Sequence, residues 1–257
     1  MQHIASADGT SIVYERAGGG QTALVFVHGW MGTRRWWDAQ RDALSDRYTI
    51  VQLDLGGHAD SGRRAAPSAE GYVADIVAVA NAIEAERIVL VGHSMSGAYT
   101  ALAVPRLPKV VALVLVDTLK DVEQRIPKEQ LDQMLGMYRQ DYRNAVENVL
   151  PQYLFAPGTP PAVKARLQAQ LLTRSGDEAA ALLEPLYGVD LPAAARAVSV
   201  PVRAINSDAQ PTAVETNRRH FRDFDARILA GVGHYPMLEE PDAFTAELRA
   251  ILAALSL

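Results

Sequence analysis

Three short apolar runs constrain the fold of this chain more than any other feature. They are ALVFV (Ala23–Val27), RIVLV (Arg87–Val91) and VVALVLV (Val110–Val116). Each has the length of a strand and is rich in β-branched residues. A strand that is apolar along its whole length needs cover on both faces, which helices provide in a parallel sheet. The runs therefore predict an α/β protein with a mostly parallel sheet and helices on both faces.

The chain between residues 119 and 195 interrupts this pattern. It contains no strand-like run, only helical patterns punctuated by prolines. Strand-like runs resume with VPVRAIN and DARILA, and a helix is expected from about Glu239 to the C-terminus. We therefore predict an α/β core formed by residues 1–118 and 196–257, with residues 119–195 inserted as a helical cap.

Composition excludes several classes of function. The chain has 257 residues, a formal net charge of −5 and no cysteine. The absence of cysteine excludes disulfides, cysteine nucleophiles and thiolate metal sites. The negative charge gives no reason to expect nucleic acid or an anionic membrane as a partner. No signal peptide and no apolar run near the ~20 residues of a membrane span are recognisable. We expect a cytoplasmic protein with a small-molecule substrate; no feature indicates an oligomeric state.

The segment GHSMSG, residues 92–97, holds the strongest candidate for a reactive residue. It follows the strand RIVLV and precedes a helix of small residues. A nucleophilic serine on a sharp strand-to-helix turn is typically written G-x-S-x-G, with small residues two places before and after it. Ser94 occupies the central position, and Ser96 replaces the second glycine. Ser94 is the predicted nucleophile, although a serine at such a turn is more often only a helix N-cap.

A second motif, FVHGW (residues 26–30), ends an early buried strand. Attack on a carbonyl creates an oxyanion that needs two preorganised N–H donors. We predict one donor at the backbone of Met95, where the start of a helix adds a favourable partial charge. The other is predicted at the backbone of Trp30. The alternative is that His28 and Gly29 form only a tight strand end around a buried histidine.

A third motif, GVGHYP (residues 231–236), follows the strand RILA. A general base must lie on a loop at the carboxyl edge of the sheet, where its imidazole can reach the serine. Flanking glycines permit such a loop, so His234 is the predicted base. A lone loop histidine is more often a solvated surface group, and only the combination with the two earlier motifs favours the catalytic interpretation.

The base also needs a carboxylate that orients it. Asp208 follows the strand that resumes the sheet, and it gives the chain order Ser, Asp, His. Asp117 ends the run VALVLV and is the alternative; otherwise it would serve only to fix the start of the insertion. We favour Asp208.

Taken together, these motifs resemble those of the α/β-hydrolase superfamily over essentially the whole chain. The segment at residues 54–62, DLGGHADSG, is also similar to the loop that the family writes D-x-x-G-x-G-x-S, with Ala59 at its second glycine. The resemblance implies an eight-stranded, mostly parallel sheet and a helical cap inserted after Asp117. It also implies a triad of Ser94, Asp208 and His234.

The function predicted from these residues is hydrolysis of a small carboxylic ester or lactone through an acyl-enzyme, without a cofactor or a metal. The six histidines show no H-E-x-x-H spacing and no cluster. The alternative keeps the fold and triad but performs C–C bond hydrolysis, cofactor-free oxygenation or haloperoxidase-like perhydrolysis; a non-catalytic binding protein is a third possibility. The candidate substrate contacts are Trp30, Met134, Met137, Tyr138 and Tyr187. For the stripe of Met134, Met137 and Tyr138, packing within the cap is the first interpretation and substrate contact the second.

Overall fold

A computed structural model describes all residues, 1–257, and contains one eight-stranded sheet. The strand order is β1-β2-β4-β3-β5-β6-β7-β8, antiparallel between β1 and β2 and between β2 and β4 and parallel elsewhere. The predicted α/β class and mostly parallel sheet are confirmed. The strands are β1 (Gln2–Ala5), β2 (Ser11–Ala17), β3 (Thr22–Val27), β4 (Thr49–Leu53), β5 (Arg87–His93), β6 (Val110–Val116), β7 (Val202–Ser207) and β8 (Phe224–Leu229).

The three apolar runs form the centre of the sheet, as β3, β5 and β6. Alternate side chains of β3 enter two separate apolar clusters, with Val25 in one and Phe26 in the other. This division follows from the two-residue period of a strand. In the parallel register Val27 lies beside Gly92, and His93 lies beside Val116. The carboxyl ends of these strands therefore meet at one edge of the sheet.

Helices cover both faces of the sheet. On one face α2 packs on α3, and α3 packs on α8; on the other face α1 packs on α11. Ser68 is the N-cap of α2, since its hydroxyl accepts a hydrogen bond from the N–H of Gly71 at 3.0 Å. The helices are α1 (Asp38–Leu44), α2 (Ala69–Asn81), α3 (Met95–Ala103), α4 (Lys128–Asn144), α5 (Pro151–Leu154), α6 (Pro161–Leu171), α7 (Gly176–Leu183), α8 (Leu191–Ala197), α9 (Val214–His220), α10 (Pro236–Glu239) and α11 (Pro241–Ala254).

The segment between β6 and β7 contains helices and no strand, namely α4 to α8. Helix α4 lies closely against α7, and a Cβ added to Gly176 would be only 1.9 Å from the carbonyl oxygen of Tyr138. Glycine is therefore required where the two helices meet. We refer to residues 119–195 as the cap; these boundaries remain a prediction.

Strand β1 was not expected from the sequence. Its four residues pair with β2, Ile4 opposite Ile12, at the edge of the sheet and are mostly exposed. An exposed edge strand this short carries too little alternation to be recognised. None of the helices combines the length and apolar character needed to cross a membrane. The expected cytoplasmic location remains a prediction.

Candidate active site

Ser94 lies on the turn between β5 and α3 with an unusual backbone, φ +53° and ψ −123°. Residues other than glycine rarely adopt such a left-handed conformation, so the surrounding structure must enforce it. Gly92 shows how tight the turn is, because a Cβ there would be 2.5 Å from Thr100 Oγ1 and 2.7 Å from the carbonyl oxygen of Ser96. The sharp strand-to-helix turn predicted from the sequence is therefore present.

Ser96, which replaces a glycine of the motif, has a specific contact. Its side chain is fully buried, and its hydroxyl donates a hydrogen bond to the carbonyl oxygen of His28. The next residue, Gly97, has no room for a side chain, since a Cβ would be 2.3 Å from Thr118 Cγ2. Ser96 thus joins the start of α3 to the end of β3 while remaining small enough for the turn.

His234 lies within hydrogen-bond distance of Ser94. Its Nε2 is 2.8 Å from Ser94 Oγ, and its Nδ1 is 2.7 Å from Asp117 Oδ2. Because a carboxylate only accepts, Nδ1 carries the proton, and Nε2 is then free to accept the proton of the serine hydroxyl. Both Ser94 and His234 are partly exposed, so a molecule from solvent can reach them.

The prediction that Asp208 orients His234 is wrong. Asp208 is exposed, and its Oδ1 accepts a hydrogen bond from the N–H of Gly231 at 3.0 Å. The alternative, Asp117, makes the contact instead. Asp117 follows β6, which pairs directly with β5, whereas β7 lies one strand further from Ser94. A left-handed backbone at Asp117, with φ +43°, accompanies this geometry.

The carboxylate of Asp117 is buried and fully engaged. Oδ1 accepts hydrogen bonds from the N–H of Ser207 at 2.7 Å and contacts Lys120 Nζ at 2.9 Å, while Oδ2 faces His234. Burial alone would raise the pKa of Asp117, but the hydrogen bond and charge of His234, together with Lys120, hold it well below its usual value. Asp117 is therefore ionised at any pH at which the protein is expected to act.

Glu239 holds the loop that carries His234. Its buried carboxylate accepts hydrogen bonds from the N–H groups on both sides of the histidine, Gly233 at 2.8 Å and Tyr235 at 3.0 Å. It also accepts one from the hydroxyl of Thr159, in the cap. A carboxylate with three such donors is a rigid anchor.

The cap and the serine turn also contact the His234 backbone directly. The N–H of His234 donates to the carbonyl oxygen of Leu154 in the cap at 2.8 Å. Its carbonyl oxygen lies 2.7 Å from His93 Nε2. Burial, followed by the charge of His234, lowers the pKa of His93 to about 3. The His93 ring is therefore neutral near neutral pH, with Nε2 donating to this carbonyl.

The two predicted oxyanion donors are the backbone N–H groups of Met95 and Trp30, and their role remains a prediction. Met95 is the first residue of α3, so its N–H has no intrahelical acceptor. The N–H of Trp30 has no acceptor within the protein. A Cβ on Gly29 would be 2.9 Å from Ser94 Cβ, so the Gly29 backbone lies directly against the serine. The loop is fixed by His28, which donates from Nδ1 to the Gly29 carbonyl at 2.7 Å.

Trp30 connects this loop with the cap. Its ring stacks on Tyr138 with centroids 5.3 Å apart and planes at 16°, and Nε1 donates to the carbonyl oxygen of Ala179 at 2.8 Å. Met134 contacts the Tyr187 hydroxyl through its sulfur, at 3.9 Å. All five candidate substrate contacts, Trp30, Met134, Met137, Tyr138 and Tyr187, belong to or pack on the apolar cluster that contains Met95. Their role in binding remains a prediction.

Lys120 and Glu239 were not identified as site residues from the sequence. Glu239 lies in an acidic helix start that follows the histidine loop, which is a weak signal, and nothing near Lys120 distinguishes it from a surface lysine. No group of three or more His, Cys, Asp or Glu side chains is arranged to hold a metal ion.

Comparison with known proteins shows the family to which the chain belongs. The model of the "Alpha/beta hydrolase family" matches residues 24–247, and the chain belongs to this family. An esterase from Exiguobacterium antarcticum has a similar structure, with a TM-score of 0.87, 20% sequence identity and 98% of each chain covered. At this identity the likeness concerns the fold.

Two relatives share part of the sequence. A stretch of 117 residues is 40% identical to the dihydrolipoyllysine-residue acetyltransferase component of the acetoin cleaving system of Cupriavidus necator, covering 44% of this chain and 31% of that protein. A stretch of 130 residues is 33% identical to a non-heme chloroperoxidase of Streptomyces lividans, covering 48% of this chain and 46% of that protein. The matches span less than half the length of these relatives.

Proposed function

We propose that this protein hydrolyses a small carboxylic ester or lactone, with Ser94 as nucleophile, His234 as general base and Asp117 as the carboxylate that orients the base. The observation that supports the proposal most is the unbroken series of hydrogen bonds from Ser94 Oγ through His234 to Asp117, with distances of 2.8 and 2.7 Å. Nucleophile, base and orienting acid in hydrogen-bond contact are the arrangement that activates a serine.

The proposed reaction begins when His234 Nε2 takes the proton of Ser94 as Oγ attacks the substrate carbonyl. Asp117 keeps Nδ1 protonated and stabilises the imidazolium that forms. The N–H groups of Trp30 and Met95 bind the oxyanion. His234 then returns the proton to the leaving alcohol, leaving an acyl-enzyme on Ser94. A water molecule, deprotonated by His234, releases the acid and restores the serine.

The contacts of the site suit this reaction because most of its parts are fixed before the substrate binds. The Gly29 carbonyl, which precedes Trp30, is held by His28, and the His234 loop is held by Glu239 and Leu154. Donors that need no rearrangement stabilise a developing charge best, and each contributes roughly 100- to 1,000-fold in turnover.

The direct test uses Ser94→Ala with short-chain aryl esters and simple lactones as substrates. We expect the variant to lose hydrolysis and to lose covalent labelling by a fluorophosphonate. Ser199→Ala removes an exposed serine and is the matched control; it should retain both properties. Hydrolysis that survives in the Ser94 variant would refute the proposal. A wild type that takes the label but cleaves no ester or lactone would indicate other triad chemistry, such as C–C hydrolysis.

A second candidate is perhydrolysis, which is favoured by the sequence match to the non-heme chloroperoxidase. Here hydrogen peroxide, rather than water, attacks the Ser94 acyl-enzyme and yields a peracid, which can then oxidise a halide. The test is formation of hypobromite from bromide, acetate and hydrogen peroxide. Ser94→Ala should abolish it. Ester hydrolysis without any peroxide-dependent oxidation would favour the first proposal.

A further inference from the structure

Lys120 lies behind the candidate acid and has no place in the reaction described above. Its Nζ is 2.9 Å from Asp117 Oδ1, 3.0 Å from Ser207 Oγ and 3.1 Å from the carbonyl oxygen of Ser207. An ammonium has three N–H groups, so three acceptors satisfy it completely. Only 12% of the side chain is exposed. A lysine so buried and so fully bonded is fixed in place and unlike a solvated surface residue.

We propose that Lys120 is a positioning residue that fixes the carboxylate of Asp117 and, through its positive charge, keeps His234 in its unprotonated, reactive form at lower pH. The inference rests on the proposed function, because it assigns Lys120 a role toward the base of that reaction. Lys120 would be the fourth residue in the series of contacts that runs from Ser94 through His234 to Asp117.

The geometry separates the two partners of the carboxylate. His234 contacts Oδ2, whereas Lys120 and the Ser207 N–H contact Oδ1. Asp117 and Leu119 both have a left-handed backbone, with φ +43° and +44°, and the chain turns so that Lys120 comes back onto Asp117. Because Lys120 also binds Ser207 at the end of β7, it joins the ends of β6 and β7 and restricts rotation of the Asp117 side chain.

The other titratable groups that contact His234 or Asp117 supply no cation. His93 is neutral, since burial lowers its pKa to about 3. Burial raises the pKa of Tyr235, so this residue is neutral as well. The Glu239 carboxylate is engaged by the N–H groups of the loop and by the cap. Lys120 is therefore the positive charge that the imidazolium of His234 would face across Asp117.

The sign of the effect follows from Coulomb's law. An imidazolium beside Asp117 is attracted by the carboxylate and repelled by the Lys120 ammonium. Removing the ammonium removes the repulsion, so protonation of His234 becomes easier and the reactive form is lost at a higher pH. At the effective dielectric constant of a partly buried site, we expect the acidic limb of the activity profile to move upward by about one pH unit.

The experiment measures the rate constant for fluorophosphonate labelling of Ser94 as a function of pH, from about pH 4.5 to 9, the range in which a histidine base titrates. This readout needs no knowledge of the substrate. Lys120→Met removes both charge and hydrogen bonds, Lys120→Gln keeps hydrogen bonding without charge, and Lys120→Arg keeps the charge. Lys109→Met is the matched control, because Lys109 is exposed and precedes the opposite end of the same strand, β6.

We expect the acidic limb of Lys120→Met and Lys120→Gln to move upward by about one pH unit, with a greater loss of the limiting rate in Lys120→Met, while Lys120→Arg and Lys109→Met keep the wild-type limb. If Lys120→Met fails to fold, the comparison of Lys120→Gln with Lys120→Arg still shows whether the positive charge sets the position of the acidic limb. Coincident limbs in wild type and Lys120→Gln overturn the inference while leaving the proposed function intact. A wild type that takes no label contradicts the proposed function itself.

Discussion

The candidate site has a serine end, the turn of residues 92–97 that carries Ser94, and an acid end, Asp117 with its contacts. The sequence determines the geometry of these two ends in different ways. At the serine end, the residues that shape the turn, Gly92, Ser96 and Thr100, lie within a few positions of Ser94. At the acid end, Asp117 meets Ser207 and His234, which are 90 and 117 positions away. A local turn leaves a pattern in neighbouring residues, whereas a contact across strands depends on the register of the whole sheet. The first can be predicted from sequence; the second needs the structure.

The largest expected effect tests the acid end directly. Asp117→Asn should lower kcat by about 10⁴-fold, because the amide can no longer hold the productive tautomer of His234 or stabilise its imidazolium. Asp208→Asn is the matched control and should change kcat by less than about twofold, as its carboxylate binds only the N–H of Gly231. Ester hydrolysis by the two purified variants decides between the carboxylates. The reverse ranking would restore Asp208 as the acid.

This pair of carboxylates shows where sequence reasoning reached its limit. Both Asp117 and Asp208 follow strands, and both satisfy the chain order Ser, Asp, His, so the order could not decide between them. The deciding features are the pairing of β6 with β5 and the left-handed backbone of Asp117. Neither leaves a mark in the sequence, since aspartate is tolerated in many backbone conformations.

The fold was predicted more fully than the site. The central strands β3, β5 and β6 were recognised because they are buried on both faces and therefore apolar throughout. The helices between β6 and β7 were recognised from their spacing. The anchoring groups were missed: Lys120 and Glu239 act through contacts between distant segments, and a single charged residue in a sequence is by default a surface residue.

The second prediction concerns stability at the serine end. Gly92→Ala would place a Cβ 2.5 Å from Thr100 Oγ1 and 2.7 Å from the Ser96 carbonyl oxygen, so the strand and helix would have to separate. We expect the free energy of unfolding to fall by about 1–3 kcal/mol. Gly136→Ala, in α4, meets no atom within 4 Å and should instead gain stability, up to about 1 kcal/mol. Chemical denaturation measures both. Equal effects would show that the turn at Gly92 is not tight.

The third prediction concerns the anchor of the His234 loop. Glu239→Gln replaces one accepting oxygen with an N–H₂ group, which cannot accept from Gly233, Tyr235 and Thr159 together. We expect a loss of about 1–3 kcal/mol in stability and a lower kcat with little change in KM. The matched control is Glu240→Gln, because Glu240 is exposed and its side chain makes no hydrogen bond. A change in KM alone would mean that Glu239 affects the binding pocket rather than the base.

The smallest expected effect is on the pH dependence of the free energy of unfolding, to which the two ends contribute in different pH ranges. His93, at the serine end, has a pKa lowered to about 3 by burial, so on acidification the unfolded chain takes up a proton that the folded protein does not. The stability due to neutral His93 is complete above the ordinary histidine pKa and is lost as pH falls toward 3. At full effect this slope is about 1.4 kcal/mol per pH unit. Asp117, at the acid end, also has a lowered pKa, but its contribution is lost only below the ordinary aspartate pKa of about 4.

The loss of stability between about pH 6 and 4 should therefore depend on His93, and below about pH 4 the loss due to Asp117 should add to it. His93→Gln keeps a donor toward the His234 carbonyl oxygen but cannot titrate, so its unfolding free energy should fall less steeply than that of wild type between about pH 6 and 4. The buried His28 and His58, whose pKa values burial also lowers, would supply the slope that remains. His3→Gln, an exposed control, should leave the slope unchanged.

An unchanged slope in His93→Gln would mean that the His93 ring of the wild type is protonated in the folded protein. It would then be a charged neighbour of His234, and the assignment of Lys120 as the cation facing this base would have to be revised.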